Sequence, residues 1–369
     1  MLLQSLRITS LLTLLAACSA IAAPQLVLVN ANVFTADPAR PRAQGLAIED
    51  GRIRAVGDDA EIRALAGPAT RIIDAGGRLV TPGLIEAHVH LGWNLPSPPL
   101  AMPGLPFPGP TGAQVLAAVQ AAASAPKGDR KDWISAWIGP LAARDRRNWR
   151  DALDTVAPVA PVLLRGFWGH TTIVNSAALK RLGIAEDVPD PIGGWWGRDA
   201  SGRLNGRAYE SAENVEFRVN PADPARLAPD LSAAADRYAR WGVTSIHLMN
   251  SGRSVDVAVA ALGMAKTPQK WTVYSWAGAV ERIADAWTPN DALARPLPPR
   301  VRVDGPKWML DGTGIEQNAL QREPYPGRPD WRGRSSHTDE QLREILRTAL
   351  QHPRQQLALH VVGDAETDR

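Results

Sequence analysis

The residues of this 369-residue chain best suited to chemistry lie in three apolar, strand-like stretches. The first, Thr81-Pro82-Gly83-Leu84-Ile85-Glu86-Ala87-His88-Val89-His90, ends in two histidines at i and i+2. The period of two in a strand turns both imidazoles to one face, and two neutral imidazoles side by side form half of a metal site. Taken alone, His88 and His90 read as well as two unrelated surface histidines. The second stretch, Val303 to Gly312, places Lys307 in an apolar run, where an unpaired ammonium is costly to bury, so a partner or a modification is implied. The third, Gln356 to Asp364, carries His360 where a strand would run out into the active end of a parallel barrel. Singly, Lys307 and His360 read as structural; the order His-x-His, Lys, His, each at a strand end, argues against coincidence.

The elements that must position these residues fall into two textures. Leu26–Val29, Gly45–Glu49, Arg52–Val56, Arg71–Asp74 and Arg78–Val80 are short alternating runs separated by turn formers, with Asp50-Gly51 a hairpin signal, so residues 24–80 read as a small β-rich module. From Thr81 onward, strands alternate with Ala-rich helical stretches such as Gln114–Ser124, Ser232–Trp241 and Glu340–Gln351. That alternation argues for βα units and an α/β fold with a parallel sheet or barrel.

Composition narrows the function classes. With 45% hydrophobic and 21% charged residues the chain is ordinary globular material rather than disordered or fibrous. A net charge of +3 lacks the concentrated basic excess of a nucleic-acid surface. The single cysteine, Cys18, excludes an internal disulfide framework and a Cys-rich zinc knuckle, leaving His and carboxylates to hold any metal. Residues 1–22 follow the order of a secretory signal peptide: Arg7, an apolar run from Ile8 to Ala17, then small residues. Leu15-Ala16-Ala17-Cys18-Ser19 equally resembles a bacterial lipobox. The expectation is export, either soluble in the periplasm or lipid-anchored through Cys18. No other stretch has the apolar length of a membrane span.

With the three motifs in view, the chain resembles the metal-dependent amidohydrolase superfamily, and within it the YtcJ-like branch that includes N-substituted formamide deformylases. The likeness extends from about Leu26 to the last residue. It includes Val27-Leu28-Val29-Asn30-Ala31, His170-Thr171-Thr172-Ile173-Val174-Asn175-Ser176-Ala177-Ala178-Leu179, Gly202-Arg203-Leu204-Asn205-Gly206 with Glu210, Trp241-Gly242-Val243-Thr244-Ser245, Asp311-Gly312 and His360-Val361-Val362-Gly363-Asp364. The resemblance implies a distorted TIM-type (β/α)8 barrel (residues 81–369), with a β-sandwich module (24–80) and residues 93–240 inserted between the first two barrel strands. It makes His88 and His90 first-strand ligands, Lys307 the often carboxylated fourth-strand lysine that bridges two metals, and His360 the fifth-strand ligand. His170 becomes a candidate substrate contact, with a capping or packing role at a helix start as the alternative. Glu210 and Asp311 are weaker candidates that could simply bond the local backbone.

The resemblance also exposes a departure. Relatives continue to a sixth-strand histidine and an eighth-strand aspartate that serves as general base; here that base is expected beyond residue 369. The residues outside the insertion amount to roughly five βα units, against ~250 residues for a typical eight-unit barrel. The expectation is a partial barrel from a longer enzyme. Its chemistry would be hydrolysis of an amide-type C–N bond by metal-activated water, with one or two divalent ions, Zn suiting the ligands and Mn, Fe and Ni open. The alternatives are a remnant that binds metal or ligand without catalysis, and a hydrolase of a cyclic amide or ester. The partner expected is a small-molecule substrate, with homo-oligomerisation open. Trp133, Trp137, Trp149, Trp168, Trp195 and Trp196 in the insertion read as packing residues before lid residues. Arg144 to Arg150 reads as a solvated helix face rather than an anion site.

Overall fold

The computed structural model describes residues 23–92, 95–126, 132–215, 223–250, 254–287 and 296–369. The readings on the signal segment 1–22, on Cys18 and on the first residue of the insertion, 93, lie outside them. The chain divides into two compact units, Met1–Gly83 and Leu84–Arg369.

The described part of the first unit holds strands β1 (Leu26–Val29), β2 (Asn32–Phe34), β3 (Arg42–Ala43), β4 (Gly45–Glu49) and β5 (Arg52–Gly57), helix α1 (Asp59–Ala64), then β6 (Arg71–Asp74) and β7 (Leu79–Val80). They pair as a four-stranded sheet, β5-β4-β1-β6, and a three-stranded sheet, β3-β2-β7. Asp50 and Gly51 both have positive φ, 48° and 71°, the backbone of the tight turn that matches strand twist, and they close the β4–β5 hairpin. Val27, Val29, Ala47 and Ile62 form a small core.

The second unit is built on a parallel sheet. Strand β8 (Leu84–Val89) is followed by helix α2 (Gly112–Ala123), β9 (Ile134–Ile138), α3 (Pro140–Arg144), α4 (Trp149–Val156), β10 (Val162–Gly166), β11 (Thr171–Val174), α5 (Ser176–Leu182), β12 (Gly194–Arg198) and β13 (Leu204–Glu210). Then come α6 (Pro224–Arg240), β14 (Val243–Met249), α7 (Val255–Met264), β15 (Lys270–Trp276), β16 (Val301–Met309), α8 (Asp339–Gln351), β17 (Ala358–His360) and α9 (Asp364–Thr367). Strands β8-β14-β15-β16-β17 lie side by side in chain order, each parallel to its neighbour. This is the curled parallel sheet of a TIM-like α/β fold. Leu227 and Leu231 of α6 with Ala258 and Leu262 of α7 bury Ile246 and Leu248 of β14 and Trp271 and Val273 of β15. Neither strand is a continuous apolar run: Thr244, Ser245 and His247 interrupt β14, and Thr272 and Ser275 interrupt β15.

Between β8 and β14 the chain forms a second sheet, ordered β12-β13-β11-β10-β9, in which only β9 and β10 run parallel. Trp149 packs with α2, α4 and β9 on one side of this sheet; Trp133 and Trp196 pack with α5 on the other. Asn175 explains the Asn-Ser-Ala-Ala-Leu motif. Its side chain caps α5 through Ala178 N, accepts from Val162 N, and donates to the carbonyls of Ala157 and Ala160. Among the described residues no helix is long and apolar enough to cross a membrane.

Candidate metal centre

Three parallel strands bring the chemistry-bearing residues together. His88 lies in β8 and His90 just past its end, Lys307 stands two residues before the end of β16, and His360 closes β17 opposite Met309. Parallel alignment puts all four at one end of the sheet, the end where barrel folds carry active sites. The strand period turns His88 and His90 together, their Nε2 atoms 3.2 Å apart, and Lys307 Nζ lies 3.2 Å from His88 Nε2. The ring of His90 is held by the Met249 carbonyl at the end of β14, which accepts from Nδ1 at 3.0 Å. That contact puts the ring proton on Nδ1 and the lone pair on Nε2, the arrangement by which a backbone carbonyl orients a ligating imidazole.

Electrostatics and burial favour the unprotonated form of these imidazoles. Desolvation, then the charges of His88 and Lys307, lowers the His90 pKa to about 3, and desolvation with His170 and Lys307 lowers that of His360 to about 2. His88 is lowered by desolvation and by Lys307. Burial brings Lys307, 2% exposed, down to about 8. His360 Nε2 is buried and has no hydrogen-bond partner among the described residues. Converging neutral imidazoles with an orphaned nitrogen, beside a lysine without an acid partner, are a donor set that a divalent cation satisfies.

A second cluster adjoins the first. His170 precedes β11 rather than starting a helix; it is buried, and its ring lies against that of His360 with centroids 4.8 Å apart. His170 Nδ1 and Glu210 Oε2 share a hydrogen bond of 2.8 Å. Glu210 ends β13 at φ 51°, a left-handed backbone that a large side chain adopts only under constraint from its surroundings. Burial, then the nearby charges of Glu316 and Asp311, pushes the Glu210 carboxyl well above the usual range, while burial lowers His170, so both shifts favour a neutral hydrogen bond over an ion pair. Ligand atoms of His170, Glu210 and Glu316 lie within 4.8 Å of one another, close enough to hold a cation. The oxygens of Glu316 are already engaged: Oε2 accepts from Trp168 Nε1 at 2.8 Å and Oε1 from Thr313 N at 2.5 Å. Gly312 is needed here, because a Cβ would stand 2.7 Å from Glu316 Oε1 and 3.1 Å from Glu210 Oε1.

Of the residues singled out by sequence, His88, His90, Lys307 and His360 meet at one place, and His170 stands against His360. Glu210 bonds His170 rather than backbone. Asp311 does bond backbone: it accepts from Leu320 N, Val362 N and Gly363 N at 2.8 to 3.0 Å. Sequence reasoning missed Glu316, although it falls in the loop just after β16, where catalytic and binding side chains of parallel sheets gather. Trp133, Trp149, Trp195 and Trp196 are buried, whereas half-buried Trp137 lines a pocket beside His90 and Trp168 binds Glu316. The expectation for Arg144 to Arg150 holds in part: Arg144 and Arg146 are exposed, whereas Arg150 is buried. Arg144 also donates to Ile315 O and Gly314 O, Arg147 pairs with Asp145, and Arg150 pairs with Glu186, because the far end of the segment packs against β13.

The profile described as Amidohydrolase family (Amidohydro_3) matches residues 71–369. The protein YtcJ of Bacillus subtilis (strain 168) is 28% identical over 330 residues, 88% of this chain and 60% of that protein. An N-substituted formamide deformylase of Arthrobacter pascens is 35% identical over 259 residues, 66% of this chain and 46% of the enzyme. An uncharacterized metal-dependent hydrolase from Pyrococcus horikoshii OT3 shares the fold, with a TM-score of 0.56 at 19% identity over 93% of this chain and 66% of that one. The chain spans 46% to 60% of the length of these two curated relatives.

Proposed function

Because the chain belongs to the amidohydrolase family, we propose that it hydrolyses an amide-type C–N bond of a small N-substituted amide or formamide at the centre formed by His88, His90, Lys307 and His360. The observation that carries the reading is the convergence of these four side chains at one end of the parallel sheet. A divalent ion, Zn by ligand type, would supply Lewis acidity and lower the pKa of water at neutral pH. His88, His90 and His360 would hold it through neutral imidazoles, and Lys307, carboxylated, would present an anion in place of a buried ammonium. His170, oriented by Glu210, is the substrate contact. The open, mostly apolar pocket of about 500 Å³ lined by His90, Leu105, Pro106, Trp137 and Phe167 suits an apolar substituent on the amide nitrogen.

In this reading the five-stranded sheet is part of an amidohydrolase-type barrel. Leu84 and Ile85 on one edge strand, and Leu359 on the other, are exposed apolar side chains of the kind that further strands cover. The segment 1–22 supports export to the bacterial envelope.

The test is metal analysis and hydrolysis of a panel of N-substituted formamides and cyclic amides by the full-length protein. The expected result is one or two divalent ions per chain and formate release from an aryl- or alkyl-substituted formamide, both reduced by at least about a hundredfold in His88→Asn and His360→Ala. Formamide hydrolysis that survives either change, or metal-loaded protein inert on the whole panel, overturns the proposal.

A further inference from the structure

Outside the metal centre, the most unusual chemistry of the molecule is a pocket of about 360 Å³ between β12, β13 and the loop after β16. Six arginines line it, Arg144, Arg146, Arg198, Arg207, Arg328 and Arg334, and Glu316 is the one carboxylate among its lining residues. Like charges gather at such density only where something offsets them. Within the described residues no carboxylate lies within 4.0 Å of any of the six guanidinium groups.

The scaffold orients the arginines without neutralising them. Arg144 donates to the carbonyls of Ile315 and Gly314, Arg198 to those of Glu186, Val188 and Gly202, and Arg207 to those of Ala143 and Asp145. Carbonyls fix the fork of a guanidinium but leave its unit charge in place. Arg334 lies over the Trp195 ring at 4.5 Å and Arg328 over Trp331 at 4.7 Å, so aromatic faces hold two more. Burial, then the charge of Arg146, holds Arg328 below the usual range of an arginine. Two buried polar atoms in the lining, Arg328 Nε and Asn318 Nδ2, have no hydrogen-bond partner among the described residues, and both are donors. Asn318 is 5% exposed, so its amide hydrogens have no access to bulk water.

We propose that this pocket binds the oxyanion of a small carboxylate- or phosphate-bearing molecule, with Arg146, Arg328 and Asn318 as its principal donors. Uncancelled positive charge, oriented guanidinium forks and unpaired buried donors share one complement, an anion rich in acceptors. The shared Glu316 connects this pocket to the His170–Glu210 cluster, so an anion bound here sits beside the metal centre without using its ligands. The proposal stands independently of the hydrolytic reading, since it concerns binding alone.

The experiment is calorimetric titration of the full chain with inorganic phosphate and, separately, benzoate at low and at moderate ionic strength, repeated on Arg146→Ala and Arg328→Ala. The expected result is saturable one-to-one binding of at least one probe, weakened about tenfold in each variant and weakened by salt, with unchanged melting temperature in Arg146→Ala. Phosphate binding and benzoate binding then distinguish the two anion sources. Arg146 makes no hydrogen bond or ion pair among the described residues, so its removal tests the pocket even if Arg328→Ala does not fold. Absence of saturable binding of either probe overturns the proposal. So does binding that is indifferent to Arg146→Ala and is abolished by metal chelation, since it then belongs to the metal centre.

Discussion

The burial that raises the Glu210 carboxyl favours a protonated partner for His170. With both partners neutral, the 2.8 Å contact fixes the orientation and tautomer of the imidazole but supplies no charge to it. Glutamine keeps the shape and the hydrogen bond of a protonated glutamic acid. Glu210→Gln should therefore leave kcat within about threefold of the parent, whereas Glu210→Ala, which frees the ring, should lower it by about tenfold or more. A loss of about a hundredfold in Glu210→Gln with metal content intact would show that the carboxylate acts as an anion. Steady-state kinetics with parallel metal analysis separates these outcomes.

At the scale of elements, Asp311 does the positioning. It stands just past the end of β16, and its carboxylate gathers backbone N–H groups from the loop at Leu320 and from Val362 and Gly363 beyond β17. The strand end that carries His360 is thereby tied to the strand that carries Lys307. Removing the acceptor strands three donors, of which the one at Gly363 is buried. Asp311→Ala should cost about 3 kcal/mol in chemical denaturation and Asp311→Asn about 1 kcal/mol, with weaker metal retention in both. Pairing irregularities lie on the same sheet, between Ile246 and Leu248 where β14 meets β8, and between Val273 and Ser275 where β15 meets β16. Such bulges re-aim side chains near active sites, and here they adjoin the strands that carry His88 and Lys307.

Across the Leu84–Arg369 unit, stability depends on histidines that are buried uncharged. His337 is 5% exposed, neither ring nitrogen has a hydrogen-bond partner among the described residues, and burial followed by Arg369 lowers its pKa to about 4. Its folded pKa lies below the unfolded value, so the unfolded chain takes up a proton first as pH falls. Its contribution is complete above about pH 6.5 and is lost between about pH 6.5 and 4, an amount on the order of 3 kcal/mol. Melting temperature should fall over that window, and His337→Leu should flatten the fall without changing the plateau above pH 7 by a comparable amount. An identical pH slope in the variant would remove His337 from the account. His90 and His360 add to the same acid sensitivity until a metal occupies them.

Much of the molecule was legible in the residues. Strand bounds at Leu26–Val29, Gly45–Glu49 and Arg71–Asp74 follow from short-range alternation and turn formers, and the βα order after Thr81 follows from apolar periodicity. His88-x-His90 needed only the strand period of two to be read as one face. Local pattern could not place residues whose roles come from contacts distant in sequence. Glu316 matters because Gly312 lets its carboxylate reach the surroundings of Glu210, and His170 because β11 and β17 bring two rings together. Arg144 and Arg146 read as part of a solvated face and are exposed, but only the fold shows that they also line a pocket with the loop after β16 and strands β12 and β13. Sequence by itself determined that His88, His90, Lys307 and His360 fall at or near strand ends, because strand position depends on neighbours a few residues apart. Only the tertiary structure decided which charges share a pocket, because Coulomb energy depends on distance in space and burial, neither of which is written along the chain.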